Sequence, residues 1–321
     1  MMKKPLIVLT GPTAVGKTAL SIALAKQLGC EIISADSMQV YKYMDIGSAN
    51  ITPQEMDGVP HYLVDVLKPE EEFHVVRFQQ MAKEAMEKIY AHGNIPLLVG
   101  GTGFYIQAVT RDIDFTEGEE DRQYRSSLEQ IAKTKGPEAL HRMLQEIDPP
   151  SAALIHANNI KRVIRALEFY HLNGYPISRH NQQESEKESP YNLAYFVLND
   201  ERSHLYERID RRVDRMMEAG LVDEVRRLRE MGYDRSMVSM QGLGYKELLA
   251  WMDGEYSLDE AVRILKRDTR HFAKRQITWF KREKDVIWMN KPDYDYDDKK
   301  ILEDMKQICQ ERGIYEYAGI I

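Results

Sequence analysis

Cysteine is nearly absent from this chain of 321 residues: Cys30 and Cys309 are the only two. Two thiols so far apart exclude a disulfide framework and any zinc site built on paired cysteines. Long apolar runs are missing as well, since no stretch approaches the roughly 20 residues a membrane span needs. Lys3 and Lys4 mimic the basic start of a secretory signal, but the apolar run at 6–9 is too short to follow it. A cytoplasmic location with no membrane partner is therefore expected. Positive charge is also in deficit. The formal net charge is −7, so any contact with a nucleic acid must come from local basic patches working against a repulsive average. His61, His74, His141, His156 and His271 lack metal-ligand spacing, and no internal repeat is visible.

The composition that remains, 43% hydrophobic and 30% charged, is that of a soluble enzyme with a sizeable core. Residues 5–10 (PLIVLT) read as a strand buried on both faces. A glycine-rich segment and a helix-like stretch follow, with Gly29 placed to end the helix. EIISAD (31–36), HYLVDV (61–66) and IPLLVGG (95–101) read as further strands, the last preceded by the helix FQQMAKEAMEKIYAHG. Strands alternating with helices predict an α/β fold with a parallel sheet core, and GPTAVGKT (11–18) directly after the first strand makes that core P-loop NTPase-like. From about residue 117 to 190 the chain turns polar and helical, with hinge-like clusters DIDFTEGEED and NQQESEKESPYN at its ends. YFVLN (195–199) returns to the sheet. The expected organisation is a core of residues 1–116 plus 195–321, with a mostly helical insertion at 117–194 that is mobile and closes over a substrate. The tail from Lys291 is acidic at first and ends in a helix.

Gly11, Pro12, Thr13, Ala14, Val15, Gly16, Lys17 and Thr18 fit G-x-x-x-x-G-K-[ST] between a predicted strand and a predicted helix. The glycines let backbone N–H groups turn toward phosphate oxygens, and the helix N-terminus adds partial positive charge. Lys17 supplies a full charge, and the Thr18 hydroxyl is placed to ligand Mg²⁺. This site binds a polyphosphate, with ATP as the usual guest. An ATP-using enzyme also wants an acidic residue ending an apolar strand. Here the strand at 95–101 ends in glycines and Thr102, which leaves Asp65 as the one comparable acid.

Asp36 and Ser37 end the second strand. In an open parallel sheet the carboxyl ends of the strands share one rim with the phosphate loop, so Asp36, Ser37, Thr102 and the loop should converge on one crevice. A carboxylate there is a candidate general base, although a turn residue explains a lone Asp36 equally well.

GPTAVGKT, ISADSMQVYKYMDIGSA, PHYLVDV, IPLLVGGTGFY, RIDRRVDRMMEAGLVDEV, QGLGYKE and AKRQITWF occur in this order between about residues 5 and 283. Together they resemble the bacterial tRNA dimethylallyltransferase (tRNA isopentenyltransferase) family. The resemblance implies that the loop grips the diphosphate of dimethylallyl diphosphate and that tRNA is the partner. It implies Asp36 as general base toward the exocyclic amine of an adenosine beside the anticodon, Thr102 close to the reacting centre, and Arg212 binding the diphosphate from the other side. Ser37, Met38 and Gln39 match positions that contact the target nucleotide. Eukaryotic relatives carry a zinc finger, which two cysteines exclude here.

The chemistry is coherent with those residues. An adenine amine is a poor nucleophile, but an allylic diphosphate leaves readily, and Lys17, Mg²⁺ on Thr18, loop amides and Arg212 would neutralise the leaving group. A base stacked in an anticodon loop must be flipped out, and RNA loops are held by stacking and by positive charge. Two segments offer that charge: Lys161, Arg162, Arg165, Arg179 and His180 in the insertion, and Arg263, Lys266, Arg267, Arg270, Lys274, Arg275, Lys281 and Arg282 near the C-terminus. Lys161, Arg162, Arg165, Lys274 and Arg275 are taken as the tRNA contacts. Arg208, Arg212 and Arg215 form a basic stripe that surface exposure alone would also explain, and Met216 and Met217 beside it are read as packing. A monomer is expected. The rival readings are a small-molecule P-loop kinase using ATP, an RNA-binding nucleotide switch, and an isopentenyltransferase acting on free adenine nucleotides.

Overall fold

The computed structural model describes residues 3–115 and 121–314. The chain divides into two compact units, one formed by 1–110 and 189–321 and the other by 111–188. The first unit begins with β1 (Pro5–Thr10), α1 (Lys17–Leu28), β2 (Cys30–Ala35), the single turns α2 (Asp45–Ser48) and α3 (Pro53–Met56), and β3 (His61–Tyr62). It continues through α4 (Val75–Ala91), β4 (Ile95–Gly100) and α5 (Gly103–Thr110). The second unit holds α6 (Arg122–Lys135), α7 (Pro137–Ile147), α8 (Pro149–Leu154), α9 (Ile160–Asn173) and α10 (Ile177–Glu186). The chain then resumes the first unit with β5 (Asn192–Asn199), α11 (Arg202–Glu218), α12 (Leu221–Glu230), α13 (Tyr245–Met252), α14 (Leu258–Phe280), β6 (Ile287–Asn290) and α15 (Asp298–Glu311).

All strand pairings are parallel, in the order β3-β2-β4-β1-β5-β6. Successive β1 residues point to opposite faces. Leu6 and Val8 pack with Ile33, Leu98 and Val197 on one side, while Ile7 and Leu9 pack with Ile32, Leu97 and Leu198 on the other. Burial on both faces is why these strands read as unbroken apolar runs. β1 is flanked by β4 and β5, and its crossover to β2 passes over β4. Thr10 and Ala35 both stand level with Gly100 in the register, so the residues that follow β1, β2 and β4 emerge at one rim.

Three details differ from the sequence reading. HYLVDV is a strand only at His61–Tyr62, because the left-handed backbone of Leu63 (φ 62°) and Asp65 (φ 53°) bends it out of the sheet. β5 starts at Asn192, before the expected Tyr195, pairing from Pro5 onward. β6 has no signature in the sequence, its four residues being too short to show a period.

The second unit is helical among its described residues and has its own core of Leu128, Leu140, Leu144, Val163, Ile164 and Leu167. Its span, 111–188, is shifted from the expected 117–194. Part of the expected hinge DIDFTEGEED, residues 116–120, lies outside the described residues. The other cluster, NQQESEKESPYN, is helical as far as Glu186, where α10 ends.

Candidate active site

The phosphate loop joins β1 to α1, whose first residue is Lys17. Lys17 is half-buried, and its Nζ donates to the carbonyls of Gly11 (3.0 Å) and Pro12 (2.9 Å). The loop thus holds its lysine folded over itself. Desolvation, and next the Arg212 guanidinium, bring the Lys17 pKa from 10.5 down to about 8, while Asp36 opposes the shift. Arg212 is itself pushed down by desolvation, supported by Asp36 and further lowered by Arg215. Among the described residues neither Lys17 nor Arg212 forms an ion pair within 4.0 Å. The result is a concentration of positive charge that an anion would relieve.

A cavity of about 920 Å³ opens over the loop. Thr13, Ala14, Gly16, Lys17 and Thr18 form its floor, Asp36 and Gln39 one side, and Gly100 and Gly101 another. Arg208, Arg211, Arg212 and Arg215 of α11 form the opposing wall. The arginine stripe is therefore turned toward the cavity and is not simply a solvated face. Arg208 is fastened to the loop, its Nε donating to the Ala14 carbonyl at 2.7 Å.

A second cavity of about 380 Å³ shares Thr13, Asp36, Ser48, Arg212 and Phe272 with the first. Its remaining lining is largely apolar, including Met38, Tyr41, Phe73, Tyr105, Val213 and Leu243. Asp36 stands where the polar and apolar compartments meet. One carboxylate oxygen, Oδ1, accepts from the Met38 N–H at 2.8 Å, which fixes the turn after β2. Ser37 and Met38 line the apolar compartment, and Gln39 lines the polar one. The Gln39 side chain is already engaged, accepting from Ser34 Oγ at 2.8 Å and donating to the Ala49 carbonyl at 3.3 Å.

Thr102 is placed differently. It follows β4 and its N–H donates to the Ala35 carbonyl at 3.2 Å, which ties it to the strand carrying Asp36, but it lines neither cavity. Asp65 is exposed, accepts from Asn50 Nδ2 at 2.7 Å, and also lies outside both cavities. Asp65, the acid singled out above as comparable to that of an ATP-using enzyme, is thus not at the loop. For Mg²⁺ the Thr18 hydroxyl, which lines the larger cavity, is an oxygen donor of the kind a hard cation takes. No group of three His, Cys, Asp or Glu among the described residues makes a cation cage. The residues fit an ion that takes most of its shell from phosphate oxygens and water.

Two buried polar side chains that sequence reasoning did not single out organise these loops. Gln276 of α14 accepts from the Thr13 N–H at 2.9 Å and donates to the Gly101 carbonyl at 2.9 Å. It needs the missing side chain of Gly101, since a Cβ there would overlap its amide. Glu224 of α12 accepts from the N–H groups of Asp45 (3.0 Å), Ile46 (2.8 Å) and Gly47 (3.1 Å) and from the Tyr245 hydroxyl at 2.8 Å. That carboxylate anchors the segment whose Ser48, Ala49 and Asn50 line the larger cavity. Both residues sit in segments that carried the family resemblance, but no spacing rule marks either.

The basic residues of α14 and of the two positions after it divide into two groups. Arg263, Lys266, Arg267 and Arg270 are paired with Glu260, Asp214, Asp268 and Asp210. Lys274, Arg275, Lys281 and Arg282 are exposed and, among the described residues, form no ion pair. Lys274, Arg275 and Arg282 line a shallow cavity with His271, Thr278 and Trp279. In the second unit, Lys161, Arg162 and Arg165 are exposed on α9, whose Val163, Ile164 and Leu167 face its core.

Comparison with known proteins follows the same line. Residues 39–283 match the family model for IPP transferase, and residues 4–68 match that for isopentenyl transferase. A protein of Lachnoclostridium phytofermentans named tRNA dimethylallyltransferase is 62% identical over 97% of this chain and 99% of its own length. The crystal structure of a tRNA isopentenylpyrophosphate transferase from Bacillus halodurans is 44% identical, covers 98% of this chain and 100% of that one, and superposes with a TM-score of 0.73. A eukaryotic dimethylallyltransferase acting on tRNA is 30% identical, covers 89% of this chain and 74% of that one, and gives a TM-score of 0.78.

Proposed function

The chain belongs to the IPP transferase family, the tRNA dimethylallyltransferases, enzymes that transfer a prenyl group to tRNA, and we propose the following course for its reaction. The donor is dimethylallyl diphosphate and the acceptor is the N6 amine of the adenosine 3′-adjacent to the anticodon. The observation that carries this reading is the position of Asp36, between a compartment lined by Lys17, Arg208, Arg212 and Arg215 and a largely apolar one. A prenyl diphosphate has the same division, a charged head on an apolar tail.

The diphosphate lies on the loop amides, with Lys17 below and Arg212 opposite. Its arrival returns Lys17 toward its ordinary pKa and releases the ammonium from the Gly11 and Pro12 carbonyls. Mg²⁺, bound through Thr18, would add Lewis-acid neutralisation of the phosphate oxygens. The adenosine amine attacks C1 of the dimethylallyl group as the C1–O bond breaks, and the electron pair of that bond leaves with the diphosphate. Nitrogen acidifies as it bonds to carbon, and Asp36 takes its proton, which an ordinary carboxylate can do at that stage. Ser37 and Met38 border the base, with Thr102 behind them on the neighbouring loop. tRNA phosphates are held by Lys274 and Arg275, and by Lys161, Arg162 and Arg165 of the helical unit. We take the enzyme to act in the cytoplasm as a monomer.

The test is donor choice. Purified protein with Mg²⁺ and unmodified tRNA is offered dimethylallyl diphosphate or ATP, and digested nucleosides are examined by mass spectrometry. The proposal expects adenosine carrying one five-carbon unit in the first case and no phosphorylated product in the second. ATP consumption with unmodified adenosine would favour the kinase.

A further inference from the structure

Lys291 is a buried cation that the mechanism above does not use. It lies outside the residues matched by either family model, in the turn after β6, and is 6% exposed. Its Nζ is 2.9 Å from Asp298 Oδ1, in the first turn of α15, where the aspartate side chain is 49% exposed. The ammonium also reaches the phosphate loop. Gly16 has φ 105°, and a Cβ built there would stand 3.2 Å from Lys291 Nζ and 3.6 Å from Arg208 Nη2. The space beside Gly16 is thus occupied by two cations, one of them fastened to the neighbouring Ala14 carbonyl. A lysine needed only to tie the turn to α15 would not have to stand against the loop.

We propose that Lys291 is a positioning residue for the diphosphate: its charge, applied beside Gly16 from outside the cavity, raises the anion affinity of the loop, and Asp298 moderates it. This rests on the reading of the loop as the diphosphate site. Coulomb attraction at such distances is strong enough to matter where water is scarce, and a half-exposed counter-charge cancels it only in part.

The geometry gives the two partners effects of opposite sign, which a simple tie would not. Lys291→Met and Asp298→Asn are compared with wild type in the full chain. Inorganic pyrophosphate binding is measured by calorimetry, alongside KM for dimethylallyl diphosphate, KM for tRNA and the thermal midpoint. Lys291→Met should weaken pyrophosphate binding about five- to thirty-fold and raise the donor KM in step, with tRNA KM unchanged. Asp298→Asn keeps the cation without its counter-charge and should bind pyrophosphate more tightly than wild type. Should Lys291→Met not fold, the Asp298→Asn result decides alone. Weakened or unaltered binding in Asp298→Asn, or unaltered binding in Lys291→Met, overturns the inference. Wild type that does not bind pyrophosphate at all overturns the diphosphate reading itself.

Discussion

Gln276 Oε1 stands 2.9 Å from the Thr13 nitrogen and accepts its hydrogen bond. A residue near the end of the longest helix thereby fixes the third position of a loop 263 residues earlier in the chain. Its Nε2 holds the Gly101 carbonyl, so one amide sets the separation between the phosphate loop and the loop after β4.

Replacing that amide tests whether the separation matters. Gln276→Leu leaves the Gly101 carbonyl and Thr13 N–H without partners and should cost about 1–3 kcal/mol of stability. Gln276→Glu keeps the bond to Thr13 but turns an acceptor toward the Gly101 carbonyl and adds negative charge beside the anion site. It should impair donor binding more than Gln276→Leu does, relative to the change in thermal midpoint. Donor KM and thermal unfolding measured on both variants check this.

The Lys17 pKa of about 8 predicts a pH dependence. Anion affinity is highest where Lys17 is charged and falls as pH rises through about 8. Arg212→Met removes a cause of the lowered value and should move that fall to higher pH. Asp36→Asn removes the opposing charge and should move it lower. In folding, the sign follows from the unfolded chain keeping the Lys17 proton up to about 10.5. The ligand-free protein is penalised below pH 8, and the penalty fades between 8 and 10.5. Pyrophosphate titrations across pH 6.5–10 read the affinity directly.

Glu224→Gln should lower stability by about 1–3 kcal/mol. The amide turns an N–H group toward a donor whichever way it is oriented, because the carboxylate serves three backbone N–H groups and the Tyr245 hydroxyl. Tyr245 cannot compensate by ionising, since burial and then Glu224 hold its pKa well above 10. Differential scanning calorimetry gives the loss.

The two basic groups on and just after α14 should separate in RNA binding. Alanine at Lys274, Arg275 and Arg282 should reduce the salt dependence of tRNA affinity, by about 0.7 in logarithmic slope for each single-stranded phosphate that is no longer neutralised. Alanine at Arg263 and Arg267, which are paired with Glu260 and Asp268, should leave it nearly unchanged. Filter binding at several salt concentrations distinguishes them.

The parts of this protein legible in its sequence are those encoded locally. The strand before Gly11, the loop motif and the helix beginning at Lys17 stand where their pattern placed them, because buried parallel strands and phosphate loops are contiguous. HYLVDV misled because alternation cannot reveal that Leu63 and Asp65 take left-handed backbone. The basic helix misled in part, since counting cations does not show that Arg270 is matched by Asp210 on another helix. Gln276 and Glu224 act across long chain separations, and Lys291 stands beside the distant Gly16; no period or motif spacing records such contacts.

The central claim is that Asp36 takes the proton as an adenosine amine displaces diphosphate. It is tested most directly by incubating wild type and Asp36→Asn with Mg²⁺, radiolabelled dimethylallyl diphosphate and unmodified tRNA, with pyrophosphate affinity measured in parallel. Asparagine can still accept from the Met38 N–H, so the turn is kept. The account predicts label in tRNA with the wild type, transfer about 10²- to 10⁴-fold slower with the variant, and pyrophosphate binding no weaker. Equal transfer by both proteins would remove Asp36 as the base, and no label in tRNA with the wild type would contradict the account at its root.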